Sequence, residues 1–148
     1  MMTENTLPMT GGCLCGAVRY EAAEQPTDVM YCHCRMCQRW SSGAMTITAK
    51  FPTKAVTFTQ GQPKIHKSSE RGRRGFCDVC GSQLTFQYIG TDLGIESDLI
   101  LETDMIYIPV GTFDNPEDIP PRQHYCVDSK LSWLNIDDEL PRRRYGEV

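Results

Sequence analysis

Three short cysteine clusters constrain this chain more than any other feature. Cys13-Leu14-Cys15, Cys32-His33-Cys34-Arg35-Met36-Cys37 and Cys77-Asp78-Val79-Cys80 hold seven of the eight cysteines. In extended backbone, residues i and i+2 share a face, so Cys13 and Cys15 can aim at one ion. A C-x-x-C pair closes as a tight turn whose sulfurs converge, the common spacing of zinc ligands. A structural zinc takes four such ligands in a closed tetrahedron, and the two doublets supply four: Cys13, Cys15, Cys77 and Cys80. The triplet supplies three, Cys32, Cys34 and Cys37, and leaves the open position that a catalytic zinc needs. Other divisions stay open. Cys13 and Cys15 can instead join two triplet cysteines, or His33 can close the triplet, although between two ligands in extended backbone it faces away from them. Cys126 has no close partner and reads as a packed strand cysteine.

Composition decides where such thiols belong. The opening MMTENTLPMTGG is polar, without the apolar core of a signal sequence, and the longest apolar stretch, Met105 to Val110, is far too short to span a bilayer. The expected setting is the reducing cytoplasm, where clustered cysteines bind metal in preference to forming disulfides. At 148 residues and 40% hydrophobic, the chain fits one domain able to bury its own core. Metal is then expected to organise loops or carry chemistry. A formal net charge of −4 works against nucleic-acid binding, which needs clustered cations. Two basic runs exist, Lys64 to Arg74 and Arg142 to Arg144, each read first as a solvated loop. The first leads straight into a cysteine pair, and its sharper reading is a contact to an acidic small molecule.

Gly, Pro, Asn and Asp break the chain into short β-rich runs: Ala17 to Tyr20, Ala44 to Ala49, Val56 to Thr59, Gln83 to Tyr88 and Met105 to Val110. These predict an all-β domain of short antiparallel sheets. One or two turns of helix are expected over Arg35 to Trp40, and Thr91 to Thr103 is either a helical turn or a long connection. The expected organisation is a flexible 1–10, a single zinc-binding domain over 11–136, and a charged tail over 137–148 that frays.

With these motifs laid out, the chain resembles the glutathione-dependent formaldehyde-activating enzyme family, the group that also includes centromere protein V. The resemblance rests on GGCLCGAVRY (11–20), CHCRMCQRWSSGA (32–44), RGFCDVCGSQL (74–84) and a C-terminal run with Gly111-Thr112-Phe113-Asp114, Pro121, His124 and Ser132-Trp133-Leu134. It implies the β-tent, an all-β zinc fold shared with methionine sulfoxide reductase B-type proteins. It also implies a structural zinc on Cys13, Cys15, Cys77 and Cys80 and a second, catalytic zinc on Cys32, Cys34 and Cys37. The chain departs from the family where many members carry an aromatic after the C-terminal His: here Tyr125 is followed by Cys126.

Three thiolates give zinc a formal charge of −1, which makes it a poor Lewis acid for activating water and a better site for an incoming thiol. The resemblance therefore points to carbon–sulfur lyase chemistry on a small thiol such as glutathione and its adduct with an aldehyde. The carboxylates of glutathione would meet Arg35, Arg39 and the Lys64 to Arg74 run, with arginine favoured for its bidentate fork. His124 reads as a satisfied structural group or as an acid or base near the open site. Trp133 reads as core before substrate platform. A non-catalytic zinc scaffold and a thiol-based sensor are the alternatives from other classes.

Overall fold

A computed structural model describes residues 6–89 and 104–145. Among the described residues, ten short strands, one α-helix and four single 3-10 turns make an all-β domain. The strands are β1 (Met9–Gly12), β2 (Arg19–Ala22), β3 (Asp28–Cys32), β4 (Thr46–Pro52), β5 (Val56–Gln60), β6 (Lys64–Lys67), β7 (Gly72–Phe76), β8 (Gln83–Tyr88), β9 (Met105–Pro109) and β10 (Gln123–Tyr125); the helix is α1 (Arg35–Ser41). They form two open sheets, of order β1-β2-β5 and β10-β3-β4-β9-β8-β7-β6. Every pairing is antiparallel except β10 on β3, which is parallel. The connection 91–103 lies outside the described residues.

The hydrophobic strands form where alternation predicts them, because each has an apolar face to bury. Tyr20 and Ala22, Ala49 and Phe51, and Ile106 and Ile108 send alternate side chains into one core, joined by Val29 and Phe113. A second, smaller core consists of Val18, Leu84 and two cysteines, Cys13 and Cys77. Packing in this half of the molecule is thus built on candidate metal ligands.

Three expectations are corrected. The basic run is not a solvated loop: it forms the β6–β7 hairpin, in which Lys64 faces Phe76 and His66 faces Arg74. β6 is exposed throughout and ends the large sheet, and its lysines are what an unpaired edge carries to resist further pairing. A strand without an apolar face leaves no alternation to read. The tail does not fray along its described length. Residues 141–143 run beside β10, where His124 N–H donates to Pro141 O (2.8 Å) and Arg143 N–H to His124 O (2.9 Å). Trp133 is 71% exposed and belongs to no core.

One ion pair fastens the loop after β9 to the small sheet. Arg19 grips Asp114 with both guanidinium nitrogens (3.0 and 2.5 Å), and Thr10 Oγ1 donates to the same carboxylate (2.6 Å). The Arg19 and Thr10 hydrogen bonds hold the Asp114 carboxyl down at about 2. Its folded-state value lies below the unfolded one, so the pair stabilises the fold above pH ~4 and that contribution disappears as pH falls toward 2. Both side chains are more than a third exposed, at 35% and 40%, so water screens the pair to about 0.5–1 kcal/mol. A side-chain NMR titration is expected to place Asp114 near 2, rising toward the ordinary aspartate value in Arg19→Ala. An unchanged midpoint in that variant would rule the pair out as the cause.

Candidate metal centres

The first centre is built from two facing turns. Cys13 and Cys15 flank the turn after β1, and Cys77 and Cys80 the turn after β7. Each turn closes through a glycine that takes up the left-handed backbone, Gly16 and Gly81, both at φ 82°. Gly16 N–H donates to Cys13 O (3.2 Å) and Gly81 N–H to Cys77 O (2.8 Å). Ser82 Oγ accepts from Leu14 N–H at 2.9 Å and ties one turn to the other. The four sulfurs lie within 4.8 Å of one another. Cys13 Sγ stands 3.6 Å from Cys15 Sγ, and Cys15 Sγ 3.8 Å from Cys77 Sγ. A zinc–sulfur bond near 2.3 Å gives a tetrahedron with edges of about 3.8 Å, so this donor set fits the ion. Backbone Val18 N–H points at Cys13 Sγ (3.2 Å), a hydrogen bond that favours thiolate. The Ser82 hydroxyl and N–H draw Cys80 down to about 5.

The second centre lies between the end of β3 and α1. Cys32, Cys34 and Cys37 bring their sulfurs within 4.8 Å of one another. Cys34 caps the helix, its sulfur accepting from Cys37 N–H at 3.3 Å, so the first helical turn itself gathers two of the three thiols. Hydrogen bonds from Cys126, Cys32 and Cys37 hold Cys34 far below the ordinary thiol range, while Cys32 and Cys37 are pushed well above it. One negative charge is easy in this cluster and three are not. A divalent cation lets all three ionise together. The donor chemistry and spacing therefore suit a metal here too.

Cys126 does not stand alone. Its thiol lies within hydrogen-bonding reach of Cys32 and Cys34, contrary to the isolated packed cysteine expected. It follows directly on β10, whose Tyr125 is the register partner of Cys32. Nothing in the sequence announces a parallel pairing between segments so far apart in the chain.

His33 points away from these sulfurs, as its place between two of them predicts. It is wholly buried and stacks with Tyr31 and His124 on the opposite face of β3. His33 Nε2 lies 2.9 Å from His124 Nδ1, and His124 Nε2 lies 2.9 Å from Asp138 Oδ2. With neutral rings, the acceptor-only carboxylate sets every proton in this chain. His124 donates to Asp138, His33 donates to His124, and His33 Nδ1 is left as a buried acceptor without a partner. Burial, reinforced by His124, Lys130 and Arg142, pushes His33 down to about 4. His124 thus acts here as a structural link. It clamps the residue between Cys32 and Cys34 to β10 and to Asp138 of the C-terminal segment.

The guanidinium that faces the second centre belongs to Arg74. It packs between Trp40 (5.1 Å to the ring centroid) and Phe86 (4.7 Å), its register partner on β8. One terminal nitrogen donates to Ser68 Oγ, and the buried Nε has no partner among the described residues. Burial pulls the Arg74 pKa down, and the nearby sulfurs of Cys37, Cys34 and Cys32 pull it back up. Tyr88 lies close by and is raised to about 12, by burial first and then by the same sulfurs, so it stays a neutral phenol. Arg35, exposed on α1, donates to Gln38 Oε1, and Arg39 is exposed in the last turn. The basic run was flagged in the sequence because it leads into Cys77, but only strand register singles out Arg74 from its neighbours.

A groove beside β10, bounded by Asp28, Lys50, Arg122 and Arg143, contains none of the cysteines. Among the described residues no helix is long and apolar enough to cross a membrane.

No curated protein matches the chain. A crystal structure of a Rhodobacter sphaeroides protein from a structural genomics programme superposes with a TM-score of 0.54 at 20% identity, covering 90% of this chain and 99% of that one. At that identity the likeness concerns the fold alone. The model of the glutathione-dependent formaldehyde-activating enzyme family matches residues 8–129, a span that takes in both sulfur clusters. With all seven clustered cysteines gathered into two sets that could each hold a metal ion, the chain belongs to the glutathione-dependent formaldehyde-activating enzyme family.

Proposed function

We propose that this protein carries two zinc ions, a structural one on Cys13, Cys15, Cys77 and Cys80 and a working one on Cys32, Cys34 and Cys37. With the second it makes or breaks the carbon–sulfur bond between a glutathione-type thiol and a small aldehyde. The observation that carries this reading is a trio of sulfurs within 4.8 Å beside the half-buried guanidinium of Arg74.

A zinc ion on three thiolates supplies a place where an incoming thiol loses its proton and stays nucleophilic at neutral pH. The chain's residues do the rest. Arg74, fixed by its two aromatic neighbours, offers a terminal N–H to a carboxylate of the thiol, an anchor whose charge survives partial burial. Trp40 and Phe86 hold this guanidinium between their rings, and Tyr88 packs edge-on against Phe86. In the forward direction sulfur bonds to the aldehyde carbon, the carbonyl π bond breaks, and the proton given up by the thiol ends on the new hydroxyl. The reverse step releases aldehyde and thiol. Cytoplasmic residence and action as a carbon–sulfur lyase belong to this reading.

The test uses protein containing two zinc ions per chain. It is expected to turn over S-hydroxymethylglutathione, and glutathione is expected to slow removal of the second metal by a chelator. Arg74→Met is expected to raise KM about 10–100-fold, the value of a hydrogen bond to a charged group. Absence of turnover, together with metal release indifferent to glutathione, would sink the proposal.

A further inference from the structure

The fourth thiol at the second centre has no assigned role. Cys126 is brought to the trio by strand pairing and by a buried side-chain amide. Parallel pairing of β10 on β3 puts Tyr125 beside Cys32, and His33 N–H donates to Tyr125 O at 3.0 Å. The buried amide of Gln38, on α1, donates to His33 O (2.8 Å) and to Ser129 O (3.1 Å), so it grips the turn that Cys126 begins. Cys126 itself takes the left-handed backbone, φ 57° and ψ 44°. A side chain in that region costs about 1–3 kcal/mol and persists where surrounding contacts enforce it, often at functional sites. Here the strained turn ends β10 and keeps a fourth thiol in reach of Cys32 and Cys34.

The position is informative in a second way. Cys126 interacts with Cys32 and Cys34 yet falls outside the group of three sulfurs that lie within 4.8 Å of one another. A permanent ligand of a closed site lies close to all its partners, as the four sulfurs of the first centre do, each within 4.8 Å of the others. A sulfur off to one side is the arrangement of a ligand that can leave.

Building on the reading of Cys32, Cys34 and Cys37 as a zinc site, we propose that Cys126 is a displaceable fourth thiolate of that site. It occupies the coordination position that a substrate thiol takes and yields it by exchange. When the incoming thiol binds, its proton passes to the departing Cys126 sulfur, which hands it to the new hydroxyl as Cys126 returns to the site. One zinc–sulfur bond forms, one breaks, and no oxidant is needed. The resting centre is then closed to water and to casual ligands, and an anionic thiol anchored on Arg74 is what opens it. Apparent affinity for small thiols is lowered by the fraction of time Cys126 holds the position.

The experiment is X-ray absorption at the zinc edge on the two-zinc protein, on Cys126→Ser and on Cys126→Gly, with and without glutathione. Serine keeps the size of the side chain, and glycine suits the left-handed backbone. In the wild type all ligands are expected to be sulfur. In both variants the sulfur count averaged over two zincs is expected to fall from about 4 to about 3.5, because only the second site loses a ligand. Glutathione is expected to restore that count and to bind the variants about tenfold more tightly or better. Two zincs with the same sulfur count in wild type and variants would overturn the role of Cys126 and leave the three-thiolate site intact. A single zinc in the wild type would overturn the underlying site as well.

Discussion

Cys77→Ser is expected to strip the first metal and lower stability by about 4 kcal/mol or more, equivalent to a fall of at least about 10 °C in Tm. The argument starts from burial. Cys77 is 0% exposed and packs with Val18, Leu84 and Cys13 in the smaller core. Its turn is closed by its own N–H to Ser82 O (2.9 Å) and by Gly81 N–H to its O (2.8 Å). Zinc binding to small structural sites releases about 10–16 kcal/mol that is inseparable from folding. A domain of this size holds only about 5–15 kcal/mol in total. Losing even part of the first term is therefore severe. Serine in place of cysteine offers a weak ligand and leaves a polar hydroxyl in an apolar pocket. Differential scanning calorimetry with elemental analysis checks this. The larger core around Phe51, Ile106 and Ile108 contains none of the four cysteines, so partial unfolding from the β7–β8 half is the expected course. Unchanged Tm after complete removal of metal by a chelator would refute the structural role.

Cys34→Ser is expected to leave the fold and the first metal in place and to cut turnover of S-hydroxymethylglutathione about 10²–10³-fold. Serine at this position is a good helix N-cap, so α1 keeps the bond to residue 37 that Cys34 Sγ now accepts. What is lost is the charge that the trio presents to a dication, and Cys34 is the member on which negative charge settles most readily. The activity a metal supplies through charge stabilisation is worth several kcal/mol, which sets the size of the effect. The measurement is steady-state kinetics alongside zinc content. Full activity with one zinc per chain would show that the trio is not the working site. The two variants separate the centres: one fails in stability, the other in activity.

The ligand spacing was legible because it is local. Turns of two to four residues bring Cys13 to Cys15, and Cys77 to Cys80, whatever the rest of the chain does, and a helix start brings Cys34 to Cys37. The strands with apolar faces, such as Gln83–Tyr88, were legible for the same reason. Strands lacking such a face were not: β6, β7 and β10 are polar and short, and they exist because neighbouring strands offer backbone partners.

Residue types at short range were thus enough to name the candidate donors, the dominant β content and the absence of an apolar span in the sequence. Tertiary structure alone decided which donors share a centre, that Arg74 is the guanidinium beside the second one, and that Cys126 reaches it. It also turned the C-terminal segment into a partner of His124 through Asp138. Each of these depends on strand register between segments tens of residues apart. Register follows from the summed packing of whole sheets and leaves no local mark on the residues it brings together.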